Sequence, residues 1–175
     1  FETPAGIITA EIKESYVRIK LTAPEDLQRN LNIDLNGKIF KVDSLNTGVP
    51  HAIVYSDDIY KEDVRGIGRG IRRHSLFSPA GTNVDFVQKL GEDELRVRTY
   101  ERGVEDETLA CGTGVVASAL LASEANLVKP PVSVQTQGGE VLTVDFKRIN
   151  GPGVFKDVFL EGSAKTVFEG TIVEI

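Results

Sequence analysis

From Thr108 to Ser123 the sequence runs TLACGTGVVASALLAS without a single charged residue. Apolar and small side chains fall all round a helix drawn over Gly112–Leu127, and a helix that is apolar on every side is buried on every side. The stretch is too short and too rich in alanine and serine to cross a membrane. Something else in the chain must therefore wrap around it. At 175 residues there is enough sequence to do so, and to bury a sizeable core.

The remainder reads mainly as short strands. YVRIKL (16–21) and ELRVRTYE (94–101) alternate with period two, as half-buried strands do. GIITAEI, KIFKVDSL, HAIVYS, NVDFVQKL, PVSVQT, EVLTVDF, DVFLEG, AKTVF and GTIVEI give further expected strands, punctuated by turn chemistry at NTGVP, SPAGTN, TQGG and INGPG. A second helix is expected over 63–74, DVRGIGRGIRRH, with Val64, Ile67 and Ile71 on one face and Arg69, Arg72 and Arg73 elsewhere. Its internal glycines argue against a helix on propensity alone. His74, at its end, is expected to cap the C-terminus. The expected fold class is α+β: a strongly curved antiparallel sheet, close to a barrel, wrapped around one central helix.

Bulk properties narrow the function. A net charge of −6 argues against a nucleic-acid partner, but a few arginines and backbone N–H groups still suffice for a small anionic substrate. One cysteine excludes an internal disulfide and fits a reducing cytoplasm. No run reaches the length of a membrane span, so no membrane partner is expected. One cysteine and two distant histidines give no zinc spacing, and a GxxxxGK(S/T) loop is absent. GIGRG lies in a helical pattern and not after a strand, so it is a poor dinucleotide fingerprint. No metal and no cofactor is expected.

Attention falls on Cys111, just ahead of the presumed central helix. A lone cysteine is more often a small buried hydrophobe than a reactive thiol. Here, however, unpaired N–H groups and the positive end of the helix dipole meet at the sulfur, so the thiol is expected to have a lowered pKa. Gly112, Thr113 and Gly114 leave backbone open to a bound carboxylate or phosphate. Arg102, at the end of a strand, is either a surface ion-pair partner or a bidentate carboxylate clamp. Glu101 beside it could orient a base or receive a substrate ammonium. His51 is either structural or a partner for the thiol. Asn83 either bonds local backbone or donates to a ligand.

TYERGVEDETLACGTGVVASAL resembles the second cysteine signature of the diaminopimelate epimerase family. LNTGVPHAIVY, FSPAGTNVDFVQ and VFLEGSAKTVFEGTIVEI resemble further segments of that family in its own order, so the likeness covers nearly the whole chain. The resemblance implies a pyridoxal-independent epimerase of two pseudo-symmetric halves with one cysteine each, interconverting LL- and meso-diaminopimelate on the way to lysine and peptidoglycan precursors. One thiolate removes the α-proton while the other thiol delivers a proton to the opposite face, as inversion through a planar carbanion requires. By the same resemblance Cys111, Glu101 and His51 are catalytic, while Asn83, Glu101, Arg102, Gly112 and Thr113 bind substrate. Val49 stands where relatives carry a substrate-contacting asparagine, so that contact is not expected here.

The chain opens on Phe1 and contains no methionine. The expectation is a C-terminal part of a longer enzyme: 1–22 as the tail of an N-terminal domain, 23–162 as the C-terminal domain, and 163–175 as a last strand returning to the first domain. The expected partners are diaminopimelate, the missing N-terminal domain in cis or in trans, and a second copy in a homodimer. The isolated chain is expected to be inactive. Two rivals stay open: a non-catalytic amino-acid or anion-binding module, or half-enzyme needing a partner chain, and a Cys111–His51 acyl-transfer enzyme. Proline racemases and phenazine-type isomerases are nearer alternatives, and ERGVEDETLACGTG favours the diaminopimelate enzyme over them.

Overall fold

The computed structural model describes residues 2–3, 6–13, 15–149 and 151–171. In chain order it contains β1 (Glu2–Thr3), β2 (Gly6–Ile7), β3 (Thr9–Lys13), β4 (Tyr16–Lys20), β5 (Glu25–Leu35), β6 (Lys38–Asn46) and β7 (Pro50–Tyr55). Helix α1 (Val64–Arg72) follows, then β8 (Asn83–Lys89), β9 (Glu94–Glu101) and β10 (Asp106–Thr108). Helix α2 (Gly112–Glu124) precedes β11 (Val132–Gln135), β12 (Val141–Arg148) and β13 (Phe155–Ser163). β1 and β2 pair antiparallel as a separate two-stranded sheet. The other strands make one sheet in the order β3-β4-β13-β12-β11-β9-β8-β7-β6-β5, with β10 added to β9.

The α+β class holds, with a refinement of the antiparallel expectation. β7 pairs with β8 and β9 with β11 in parallel. Parallel neighbours need a long crossover, and each of these crossovers carries one of the two α-helices. The helices lie on opposite faces of the sheet. Because side chains alternate along a strand, Ile53, Val87, Leu95 and Val97 face the cluster built on α2. Their neighbours Ala52, Val54, Val84, Phe86 and Tyr100 join Val64 and Ile71 of α1 in a second cluster.

Helix α2 is buried from Gly114 to Glu124; its run to Ser123 carries no charge, and the Glu124 carboxylate at its end meets the Arg148 guanidinium at 3.2 Å. It ends three residues earlier than the periodicity predicts, with Ala125 as C-cap and Asn126 in the left-handed region at φ 58°. Helix α1 buries Val64 and Ile71, with Ile67 half-covered. Gly68 is what lets α1 lie so close to β9: a Cβ there would stand 2.5 Å from the Tyr100 Cβ. A residue of low helix propensity is tolerated because tertiary packing needs the space. His74 does not cap α1. Arg73 is its C-cap, and the His74 imidazole accepts the Leu76 N–H at the start of a short 3₁₀ helix, Ser75–Phe77.

One strand expectation fails. AKTVF is irregular, with Val167 and Phe168 exposed. The ladder stops at Ala164 N–H to Ser15 O (3.0 Å) because β4 begins at Tyr16 and offers no partner beyond the preceding turn. GTIVEI falls mainly outside the described residues. Strand β5 is not among the expected strands: its alternation is broken by register shifts between Glu25 and Gln28 and between Gln28 and Leu31, where Asp26 and Asn30 take positive φ. Among the described residues no helix is long and apolar enough to cross a membrane.

Candidate active site

Cys111 is the N-cap residue of α2, extended at φ −134° and ψ 106°, and its carbonyl accepts the Val115 N–H at 2.9 Å. Its side chain makes no capping hydrogen bond. Serine, threonine, asparagine or aspartate would stabilise this position, so a cysteine here gives up helix stability. The loop before it is firmly held. Arg98 binds Glu107 through two parallel hydrogen bonds, Nε to Oε1 at 2.7 Å and Nη2 to Oε2 at 2.9 Å. Arg72 reaches Glu105 at 2.8 Å and Arg65 reaches Asp106 at 2.7 Å. The Gly103 N–H and the Arg72 guanidinium hold the Glu105 carboxyl below its ordinary range. The arginines of α1 thus serve largely as counterions to the VEDET segment, part of which is strand β10.

Behind the sulfur runs a buried polar chain. The Cys111 Sγ lies 3.6 Å from the Thr113 Oγ1, which is 3.0 Å from the His51 Nε2. The His51 Nδ1 is 2.7 Å from the Asp85 Oδ2, and the Thr99 hydroxyl donates to the Asp85 Oδ1 at 2.7 Å. Strand parity explains the convergence. His51, Asp85 and Thr99 share the α2-facing side of three adjacent strands, β7, β8 and β9, and Asp85 is in register with both Ile53 and Thr99. The Thr47 hydroxyl donates to the Thr113 carbonyl at 3.0 Å and ties the NTGVP turn to α2. Val49 lies in that turn and is half-buried.

The other expected residues gather around the same strand ends. Asn83 opens β8 and is almost fully buried. Its amide is a tie between strands: Nδ2 donates to the Pro50 carbonyl at 3.2 Å, and Oδ1 accepts the Arg102 N–H at 2.8 Å. The Arg102 guanidinium donates from Nη1 to the Gly81 carbonyl at 3.3 Å and to that of Ala80 at 3.4 Å. Glu101, half-buried at the end of β9, lies close enough to bear on the thiol electrostatically. Gly112 and Thr113 form the first turn of α2, whose N–H groups have no intrahelical partner. Among the described residues no cluster of three or more His, Cys, Asp or Glu side chains is arranged to hold a metal ion.

The thiol itself corrects an expectation. Burial pushes the Cys111 thiol above its ordinary value, and the Asp85 charge adds to this. The Thr113 hydroxyl and the Gly114 N–H pull the other way without prevailing. A helix N-terminus favours thiolate only where desolvation and nearby carboxylates do not outweigh it. The fold therefore favours the neutral thiol. Its contribution to stability is full below the unfolded-chain thiol pKa and is lost as pH rises through the higher folded value. Alkylation of Cys111 by iodoacetamide, followed against pH, is expected to have a higher midpoint in the folded chain than in urea. A midpoint at or below the unfolded one would contradict this balance.

The diaminopimelate epimerase family model matches residues 44–166, which include His51, Asn83, Glu101, Arg102 and Cys111. The chain belongs to the diaminopimelate epimerase family. It is 48% identical to the diaminopimelate epimerase of Aquifex aeolicus (strain VF5) and 42% identical to that of Hydrogenobaculum sp. (strain Y04AAS1). These alignments cover 99% and 98% of this chain, and the chain spans about 61% of the length of either relative. In fold it is similar to a probable proline racemase from Agrobacterium radiobacter K84, with a TM-score of 0.72 at 15% identity over 96% of this chain and 59% of the other. A phenazine biosynthesis protein of the PhzF family from Bacillus anthracis gives 0.66 at 12% identity over 93% of this chain and 64% of that one. Within this diaminopimelate epimerase family member, Asp85 and Thr99 are the site neighbours that the sequence reading missed. The available signal is a carboxylate inside the otherwise apolar strand NVDFV, on the face that His51 shares.

Proposed function

We propose that the whole protein is a pyridoxal-independent epimerase that interconverts LL- and meso-diaminopimelate, acting in the cytoplasm in the formation of lysine and peptidoglycan precursors. The observation that supports this reading most is Cys111 at the N-cap of a buried helix, with its sulfur linked through Thr113 to His51. A substrate α-carboxylate against the N–H groups of Gly112 and Thr113 would set the α-carbon beside the sulfur. Cys111 then gives its proton to one face of the α-carbanion, or in the reverse direction takes it back. Arg102 and Asn83 bind and orient substrate at the strand ends, and Glu101 serves both substrate and proton transfer. Hydrogen bonds to the carboxylate, in a cleft that excludes water, stabilise the developing charge.

Inversion needs a second acid/base group on the opposite face. These 175 residues contain no other cysteine, so the second thiol comes from outside them, from a preceding domain or from a partner chain. In this reading residues 1–22 and 163–175 belong with that domain, and 23–162 form the half described above. The test is turnover of diaminopimelate in D₂O. The protein as its cell makes it is expected to place deuterium at the α-carbon and to interconvert the isomers, whereas residues 1–175 alone do neither. Turnover by the 175-residue chain alone would overturn the two-thiol arrangement. Deuterium-free acyl transfer with a covalent intermediate would overturn the epimerase reading itself.

A further inference from the structure

We propose that Asp85, braced by Thr99, is a positioning residue for the Cys111 thiol, acting through His51 and Thr113. This deepens the epimerase reading and rests on it. The Asp85 side chain is fully buried on β8, between the strands that carry His51 and Thr99.

The direction of every hydrogen bond follows from its one fixed member. An ionised carboxylate can only accept, so the 2.7 Å contact to Asp85 Oδ2 requires the hydrogen of His51 on Nδ1. In a neutral imidazole the Nε2 is then a lone pair, and it accepts the hydroxyl hydrogen of Thr113 across 3.0 Å. That uses the only donor Thr113 has. Its oxygen can therefore only accept from the sulfur at 3.6 Å, which must be S–H and not S⁻. With the opposite imidazole tautomer the chain reverses: Nε2–H donates to Thr113, and the freed hydroxyl donates to the sulfur, an arrangement that suits thiolate. The tautomer selected by Asp85 thus determines that Cys111 rests as a proton donor. The charged and titratable groups bearing on the sulfur come from three strands: Asp85 from β8, Glu101 from β9, and His51 from β7, linked through Thr113.

The space is built for this pair. A Cβ on Gly114 would collide with the Asp85 carboxylate and stand 3.3 Å from the His51 Cε1. The glycine lets α2 settle directly on the Asp85–His51 contact.

The test compares the unchanged protein, as its cell makes it, with Asp85→Asn. In the variant the amide oxygen stays with the Thr99 hydroxyl and the amide nitrogen turns to His51, which forces the hydrogen onto Nε2. In ¹⁵N spectra of histidine-labelled protein, with His51 assigned by its loss in His51→Gln, the unchanged protein is expected to show the Nδ1–H tautomer and Asp85→Asn the Nε2–H tautomer. Cys111 alkylation near neutral pH is expected to rise about 10-fold in the variant, because a donor replaces an acceptor at the sulfur and a nearby charge is removed. At the same time kcat for epimerisation is expected to fall by roughly 10-fold or more with KM nearly unchanged. A more reactive sulfur in a slower enzyme is a signature that a merely structural aspartate would not give.

An Nε2–H tautomer in the unchanged protein overturns the proposal, and that spectrum requires no folded variant. Unaltered alkylation and kcat in a folded Asp85→Asn protein overturn it too. Absence of turnover in the unchanged protein overturns the epimerase reading instead, and the tautomer and alkylation readouts then still decide the role of Asp85.

Discussion

Cys111→Ser is expected to reduce epimerisation by the whole protein by roughly 10²–10⁴-fold, the range supplied by a positioned acid/base group. A serine hydroxyl can hold the same place but is too weak an acid to give its proton, and too rarely an alkoxide to take one, at neutral pH. The same substitution is expected to raise stability. Cys111 occupies an N-cap position without making a capping bond, and serine there would accept an N–H from the first turn, for a gain of about 0.5–1 kcal/mol. Affinity for diaminopimelate should stay nearly constant, because the α2 N-terminus proposed to hold the carboxylate is intact. Three measurements check this: α-deuterium incorporation, the thermal midpoint, and substrate binding by calorimetry. Activity within a few-fold of the unchanged protein would make the thiol dispensable and favour an anion-binding module over an epimerase.

The second large effect is expected at Gly114. A Cβ at this position would run into the Asp85 carboxylate, 3.1 Å from its Cγ and nearer still to Oδ1, and 3.3 Å from the His51 Cε1. Neither group can yield, because Asp85 is pinned by Thr99 and His51, and all three are buried. Gly114→Val is therefore expected to cost about 3 kcal/mol of overpacking strain, a fall of roughly 6–12 °C in thermal midpoint for a chain of this size. Gly112 provides the contrast. There a Cβ meets only the Leu160 Cδ2 at 3.2 Å, the movable end of an aliphatic side chain, so Gly112→Ala should shift the midpoint by a small fraction of that. Equal midpoints for the two variants would mean that α2 does not rest on the Asp85–His51 pair.

Stability and chemistry pull apart within this one helix. From Val115 to Ala122 the residues serve the core, while the N-terminal turn gives up a cap at Cys111 and helix propensity at Gly112 and Gly114. The losses at Cys111 and Gly114 coincide with the places where the thiol meets Thr113 and where the Asp85 carboxylate comes close to the helix. A sequence that breaks local rules at adjacent positions of an otherwise well-made helix marks a working site.

The buried helix was legible from the amino-acid order alone, because a charge-free stretch of that length has only one stable place in a small domain. The strands from β6 to β9 were equally legible, from short apolar runs bounded by turn residues and, in β9, from alternation. The cysteine motif pointed to the family and brought His51, Asn83, Glu101, Arg102 and Cys111 into view together. The parallel pairing of β7 with β8 and of β9 with β11 emerged only in the folded chain, since pairing direction depends on where the crossover helices land. The fold decided the bulged strand β5, where long-range pairing overrides a broken alternation, and the irregular stretch 164–171, beyond the last ladder bond from Ala164 to Ser15. It also decided the state of the thiol. The sequence shows the helix end that would acidify Cys111, but the burial and the Asp85 carboxylate that outweigh it come from strands far away in the chain. Ionisation depends on everything within a few ångströms of the sulfur, and that neighbourhood exists only once the sheet has closed around α2.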